Sequence, residues 1–282
     1  MTLLNDDQVQ SFINSGFIEI LLPELDSVHS EVNSRLREVC AAESHHGNNV
    51  LPRMPILQQV LRHEKIHGAL VSLLGSDYLV HPHRAIHRST PITDSLDGFS
   101  LSSDRHLMGA GSTATSMWHQ DAQSPLARAR HHFPKFLIGF YFPHEVIAEM
   151  GPTRFLRASH CDNGPDLSRS IYQPEHVRAG TFFIAHFDIA HAGFPNVSND
   201  DRFMLKFVFA RTSHPMKPTW SNERDQWSAS GEDLVDDGLY EPAASFIWNR
   251  MRGQTNNERG TEISKSRLSN REVPQDLSLI HI

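Results

Sequence analysis

From Arg202 the chain alternates strictly. Phe203, Leu205, Phe207 and Phe209 share one side of an extended backbone, and Arg202, Met204, Lys206 and Val208 share the other. Upstream, Thr181 to Phe187 is a short apolar run. Phe194-Pro195-Asn196 and Ser198-Asn199-Asp200 then supply turn chemistry. The stretch from Gly180 to Arg211 therefore reads as strand, tight turn, strand. His191 stands before the turn and Arg202 directly after it. If the two strands pair, an imidazole and a guanidinium point into one cavity.

The N-terminal part has a different period. Asn5 to Ser15 predicts a short amphipathic helix with Val9, Phe12 and Ile13 on one stripe, capped by Asn5 or Asp6 and ended by Gly16. Phe17 to Ile20 reads as a strand. A longer helix is expected from about Leu25 to Ala42, with Val28, Val32, Leu36 and Val39 on one face. Ile66 to Leu74 is helical, stopped at Gly75, and Tyr78 to Ile86 reads as a strand. Arg88 to Met117, rich in Ser, Thr, Gly and Asp, predicts a long loop, either a lid or a surface excursion. Short strands follow at Met117 to Asp121, Phe136 to Phe142 and Thr153 to Ala158, closed by Gly, Pro and Asn turns. This succession predicts a mainly β protein with flanking helices, its strands forming a jelly roll. Glu241 to Arg250 is expected to be helical.

With no internal repeat and no second hydrophobic core in the pattern, one domain over residues 1–252 is expected. Its helices span 5–75 and its jelly-roll core about 78–212, with a helical extension beyond and a polar tail over 253–282. The net charge of −7 and pI near 6.2 argue against a nucleic-acid or anionic-membrane surface. Cys40 and Cys161 have no metal-ligand spacing, so a reducing compartment is the default. No signal peptide or membrane-spanning run is evident, which makes a cytoplasmic location the expectation.

A non-haem Fe(II) site needs two imidazoles and one carboxylate on one side of the metal. His-x-Asp on a strand end supplies two of them, because residues two apart point the same way. The chain has three such tripeptides: His119-Gln120-Asp121, His160-Cys161-Asp162 and His186-Phe187-Asp188. The first lies far enough before His191 to leave room for the intervening strands of a jelly roll. His186 has only His214 well downstream, with no strand pair between them. Asp162 runs straight into the turn Asn163-Gly164-Pro165. Spacing therefore favours His119, Asp121 and His191, with Trp118 and Met117 as an apolar wall beside them. His186 and Asp188 read as structural or substrate-facing.

From its opening helix to about Arg211 the chain resembles the phytanoyl-CoA dioxygenase family of Fe(II)/2-oxoglutarate-dependent oxygenases. Trp118-His119-Gln120-Asp121 looks like that family's proximal metal motif. Gly151-Pro152-Thr153 to Ser159-His160 is similar to its Gly-Pro-Leu…Pro-Gly-Ser-His segment, which makes His160 a landmark rather than a ligand. His191 matches the distal ligand, and Asn196…Ser198…Arg202 matches the run that ends in the 2-oxoglutarate arginine. Two departures stand out: Arg157-Ala158 replaces Pro-Gly, and Gly193 stands where a Ser or Thr often helps hold the cosubstrate.

The resemblance implies a double-stranded β-helix, the cupin-like barrel. It also implies Fe(II) on His119, Asp121 and His191, with 2-oxoglutarate and O2 as cosubstrates. Arg202 would grip the C5 carboxylate with its planar fork, and Lys206 on the same face is the second candidate anchor. Succinate and CO2 would be released as a C–H bond of a small organic substrate is oxidised. In halogenating relatives a small residue replaces the carboxylate ligand, so Asp121 favours hydroxylation. Two other readings share the barrel: a non-catalytic cupin-like protein binding a metal or small molecule, and a metal-dependent cupin oxygenase without 2-oxoglutarate. The first of these would not need an arginine at the spacing of Arg202 after the last ligand, and fold-level likeness does not decide between the others.

Overall fold

A computed structural model describes residues 1–44, 47–92, 118–121, 134–162, 166–228, 238–239 and 241–254. Helix α1 (Asp6–Ser15) has the expected caps: the Asn5 side chain accepts from the Gln8 backbone N–H, and Gly16 closes the helix in the left-handed conformation. Strand β1 (Phe17–Leu21) and helix α2 (Asp26–Ala42) follow, then the short helices α3 (Val50–Arg53) and α4 (Leu57–Leu61) and the longer α5 (Glu64–Leu74).

The strands are β2 (Leu79–Ser89), β3 (Phe136–Phe142), β4 (Val146–Ile147), β5 (Arg154–Leu156), β6 (Ile171–Tyr172), β7 (His176–Val177), β8 (Thr181–His186), β9 (His191–Ala192) and β10 (Arg202–Ala210). Helix α6 (Glu241–Met251) lies where sequence periodicity predicts it. Of the loop predicted over Arg88 to Met117, residues 93–117 lie outside the described residues, as does the tail beyond 254.

Among the described residues every pair of named strands is antiparallel. The larger sheet has the order β1-β8-β3-β10-β2, and a smaller one has the order β6-β5-β9. This is the jelly-roll arrangement, with two sheets face to face and not closed into a continuous barrel among the described residues. Two expectations need correction. The strands before and after the His191 turn do not pair, because β3 inserts between β8 and β10. Also, β2 runs on to Ser89 rather than stopping at Ile86. Pairing with β10 carries it further, and Arg88 Nε donates to Asp201 Oδ2 at 2.9 Å beside the last rungs.

The larger sheet separates two apolar layers. Its outer face, with Leu137, Tyr141, Phe182, Phe203, Leu205, Phe207 and Phe209, packs on Val9 and Phe12 of α1, Val32 and Leu36 of α2, Leu70 and Leu73 of α5, and Trp248 of α6. His29 on α2 pins this layer through polar contacts: its two ring nitrogens reach Tyr141 Oη and Leu22 O, each at 2.7 Å. The inner face, with Ile138, Phe140, Phe142, Phe183 and Met204, meets Phe155 from the smaller sheet. The Phe140 and Phe155 rings lie 5.4 Å apart across the gap between sheets. Among the described residues no helix is long and apolar enough to cross a membrane.

Candidate metal centre

The site is built where His119 meets β9: of the strand expected over Met117 to Asp121, the described residues 118–121 form only an isolated bridge at His119. His119 and His191 exchange both backbone hydrogen bonds, at 3.1 and 3.0 Å, so they form a directly opposed antiparallel pair. Opposed residues share a face, and the two imidazole rings lie 4.3 Å apart. Asp121, two residues beyond His119, returns to that face. One ligand atom from each of His119, Asp121 and His191 lies within 4.8 Å of the others. The spacing argument thus brings the three residues together as expected. Asp121 Oδ1 sits 3.8 Å from His119 Nε2 and 3.9 Å from His191 Nε2. The His119 side chain is 54% exposed and that of His191 only 6%, so the site is open on one side and closed on the other.

The intervening residues anchor this geometry. Gln120 points the opposite way, is buried, and donates through Nε2 to Ser159 O at 3.0 Å and Asp188 O at 2.7 Å. Ser159 Oγ in turn accepts from Ala190 N–H at 2.8 Å, next to His191. The Ser159-His160 landmark therefore braces the strand that carries the distal imidazole. Trp118 does not wall the cavity. Alternation turns it to the far side, where it packs with Leu156, Ala190 and Ala192. The Arg154 guanidinium sits between Trp118 and Phe194, 5.0 and 4.7 Å from their ring centres. Met117 lies outside the described residues.

The other two His-x-Asp tripeptides stay apart from the cluster. The His160 and His186 rings lie 5.0 Å from each other, tilted by 40°, in the interior, and His186 Nδ1 accepts from Asp188 N–H at 3.1 Å. The Asp162 carboxylate is held by both Arg169 Nε and Nη2 at 2.9 Å. Ala158, where the family has Gly, adopts a left-handed conformation at φ 58°. Its methyl group is fully buried and its N–H donates to Ser15 O at 2.9 Å. A non-glycine residue in this region costs on the order of 1 kcal/mol. The departure from Pro-Gly thus strains a turn and leaves the cluster untouched.

The electrostatics suit a cation. Burial pushes His191 down to about 3, so it is neutral at physiological pH. Its Nδ1 lies 3.1 Å from Ile189 O, and a carbonyl can only accept. The proton therefore resides on Nδ1, and the Nε2 lone pair faces His119 and Asp121. Burial alone would raise the Asp121 carboxyl, but the Lys206 ammonium beside it holds it below the ordinary carboxylate range. His87 on β2, opposite Met204, borders the same face.

Arg202 opens β10 on the inner face. Asn196 positions its approach by donating to Ser89 O at 2.9 Å and Asp200 O at 2.7 Å, tying the loop before β10 to the end of β2. Arg202 Nη1 donates to Met150 O at 3.3 Å, while its buried Nε has no acceptor among the described residues. Burial lowers its pKa to about 10, which still leaves it cationic at neutral pH. A Cβ at Gly193 would stand 3.4 Å from Arg202 Nη2, so the missing side chain leaves room beside the guanidinium. Lys206, the second candidate anchor, is committed elsewhere: its Nζ lies 2.5 Å from Asp121 Oδ2. Alternation placed Lys206 on this face, but the partner it meets there was not readable.

Comparison with known proteins agrees with this architecture. The Phytanoyl-CoA dioxygenase (PhyH) family matches residues 25–204, which is more than half of the chain. The protein therefore belongs to the phytanoyl-CoA dioxygenase family, and with it to the non-haem iron, 2-oxoglutarate-dependent enzymes. No curated protein sequence matches the chain.

Among solved structures, HygX from Streptomyces hygroscopicus with nickel and 2-oxoglutarate bound is 12% identical, with a TM-score of 0.55 over 85% of this chain and 96% of that one. The α-ketoglutarate-dependent carbocyclase SnoK from nogalamycin biosynthesis is 16% identical, with a TM-score of 0.52 over 73% of this chain and 84% of that one. A non-haem monooxygenase, the ThoJ–nickel complex, is 18% identical, with a TM-score of 0.50 over 94% of this chain and 99% of that one. At such identities these likenesses speak to the fold.

Proposed function

We propose that this protein is an oxygenase that hydroxylates a C–H bond of a small organic substrate, using Fe(II), 2-oxoglutarate and O2. Fe(II) is held by His119 Nε2, Asp121 Oδ1 and His191 Nε2, and 2-oxoglutarate is gripped by Arg202. One observation carries the reading. Two neutral-capable imidazoles and one carboxylate converge within 4.8 Å on the face that also holds a buried, incompletely satisfied guanidinium. Two nitrogens and one oxygen form the donor set that non-haem iron takes while keeping positions free. A buried arginine with an unmatched Nε calls for a planar anion, and a dicarboxylate supplies one.

When bound, the iron couples oxidation of 2-oxoglutarate to succinate and CO2 with hydroxylation of the substrate. The protein's own residues make that site selective. The Ile189 carbonyl keeps the His191 proton on Nδ1 and its lone pair on the metal side. The fully buried Phe140 ring, 5.1 Å from that of His191, gives the inner side of the site an apolar neighbour. His119 stands at the open side, where substrate enters. Arg202 fixes the far carboxylate of the cosubstrate, which orients its keto acid end toward the three ligands.

The test is turnover. Purified protein supplied with Fe(II), 2-oxoglutarate and O2 is expected to form succinate, at a rate that a substrate increases. Asp121→Ala is expected to abolish this. Binding of the metal without any Fe(II)-dependent conversion of 2-oxoglutarate, across a panel of small-molecule substrates, would favour the non-catalytic binding protein instead.

A further inference from the structure

The two oxygens of the Asp121 carboxylate are used differently. Oδ1 faces His119 Nε2 and His191 Nε2 at 3.8 and 3.9 Å, while Oδ2 faces Lys206 Nζ at 2.5 Å. Lys206 is itself almost wholly buried, its side chain only 7% exposed. Its ammonium also lies 5.9 Å from the centre of the Phe140 ring, so an aromatic face and a carboxylate together confine it. It sits on β10 between the strands β3 and β2, opposite Phe140 and Ala85. A buried lysine held on three sides cannot swing to another partner without leaving its charge uncompensated.

We infer that Lys206 is a positioning residue that makes Asp121 a one-oxygen ligand. This rests on the metal-centre reading above and deepens it. A carboxylate with both oxygens free can take two coordination positions on a divalent cation. With Oδ2 engaged by an ammonium, only Oδ1 is available. Three protein donors then occupy three positions, leaving three for the two oxygens of 2-oxoglutarate and one further ligand. Without Lys206 the second oxygen can turn onto the metal and take a position the cosubstrate needs. The same ion pair explains why Lys206 does not serve as the cosubstrate anchor, a task that falls to Arg202.

The test uses Mn(II) as a probe, because its bound water is counted by proton relaxation. Wild-type protein with Mn(II) is expected to show three exchangeable waters. Lys206→Met, which keeps an unbranched apolar stem one atom shorter and removes the charge, is expected to lose about a third of the inner-sphere relaxivity, as one water gives way to Asp121 Oδ2. Lys206→Arg restores the ion pair and is expected to keep the wild-type value. Equal hydration in wild type and Lys206→Met would overturn the inference and leave the metal centre standing. Failure of wild-type protein to bind Mn(II) would overturn the metal centre, and the inference with it.

A second measurement needs no variant. The infrared difference spectrum between Mn(II)-loaded and metal-free protein with 13C-labelled aspartate is expected to show the wide carboxylate splitting of one-oxygen binding. A narrow splitting would contradict it.

Discussion

On its outer face, β10 presents Phe203, Leu205, Phe207 and Phe209, all fully buried against the helices. On its inner face it presents Arg202, Met204, Lys206 and Val208, buried nearly as deeply. Depth is therefore shared, and what differs is how burial is compensated. Each phenylalanine gains contact area and leaves no polar group behind. The two cations of the inner face lose solvation and must find anionic partners: Lys206 has Asp121, and Arg202 has one carbonyl and an unmatched Nε. A buried guanidinium in this condition is the feature on which the proposed anion site rests, whereas the outer face shows only close packing.

The comparison is broken most completely at the metal cluster. Asp121→Ala or His191→Ala is expected to eliminate Fe(II) binding, read by equilibrium dialysis, while His160→Ala keeps it, since His160 lies against His186 away from the cluster. On the outer face, Phe207→Ala is expected to cost about 3–5 kcal/mol in denaturant unfolding. The folded fraction should bind Fe(II) with unchanged affinity, because nothing on that face touches the ligands. Arg202→Ala reverses this pattern. It is expected to weaken 2-oxoglutarate binding at least tenfold, since removing one partner of a buried charge pair costs about 2–5 kcal/mol. Iron binding and stability should change little, as calorimetric titration and thermal unfolding would show.

A smaller effect is read by pH, and buried histidines on both sides of the sheet share it. His186 is buried neutral, and burial pushes it down to about 4. Between its ordinary value of 6.5 and about 4, the unfolded chain binds a proton that the folded chain refuses. Stability therefore falls as pH drops through that window, by on the order of 3 kcal/mol if the shift is fully expressed. Chemical denaturation of the metal-free protein at pH 7 and pH 4.5 measures the fall, and His186→Phe is expected to shrink it.

Much of this was legible in the chain. The alternation from Arg202 to Phe209 assigned those residues of β10 to the correct face, and the caps of α1 were readable from Asn5 and Gly16. The His-x-Asp spacing to His191 selected the cluster, because period-two geometry and distance along the chain are both local facts. What stayed hidden depends on which strand lies beside which. Nothing in the sequence around His191 or Arg202 says that β3 slips between β8 and β10. Nor does a lysine in an alternating strand announce that its charge will meet Asp121, far upstream in the chain. Gln120 looked like a spacer between two ligands, yet its amide bridges the backbones of Ser159 and Asp188, which only the assembled loops bring together.

The central claim is that His119, Asp121 and His191 hold iron in reach of a 2-oxoglutarate bound by Arg202. Anaerobic titration of the protein with Fe(II) and 2-oxoglutarate tests it most directly, since chelation of the iron by the keto acid produces a visible charge-transfer absorption. The band is expected to rise to one equivalent of iron in the wild type. It should be absent in His191→Ala and, in Arg202→Ala, should need at least tenfold more 2-oxoglutarate. A wild-type protein that binds both components without developing the band, or a band that persists in His191→Ala, would contradict the account.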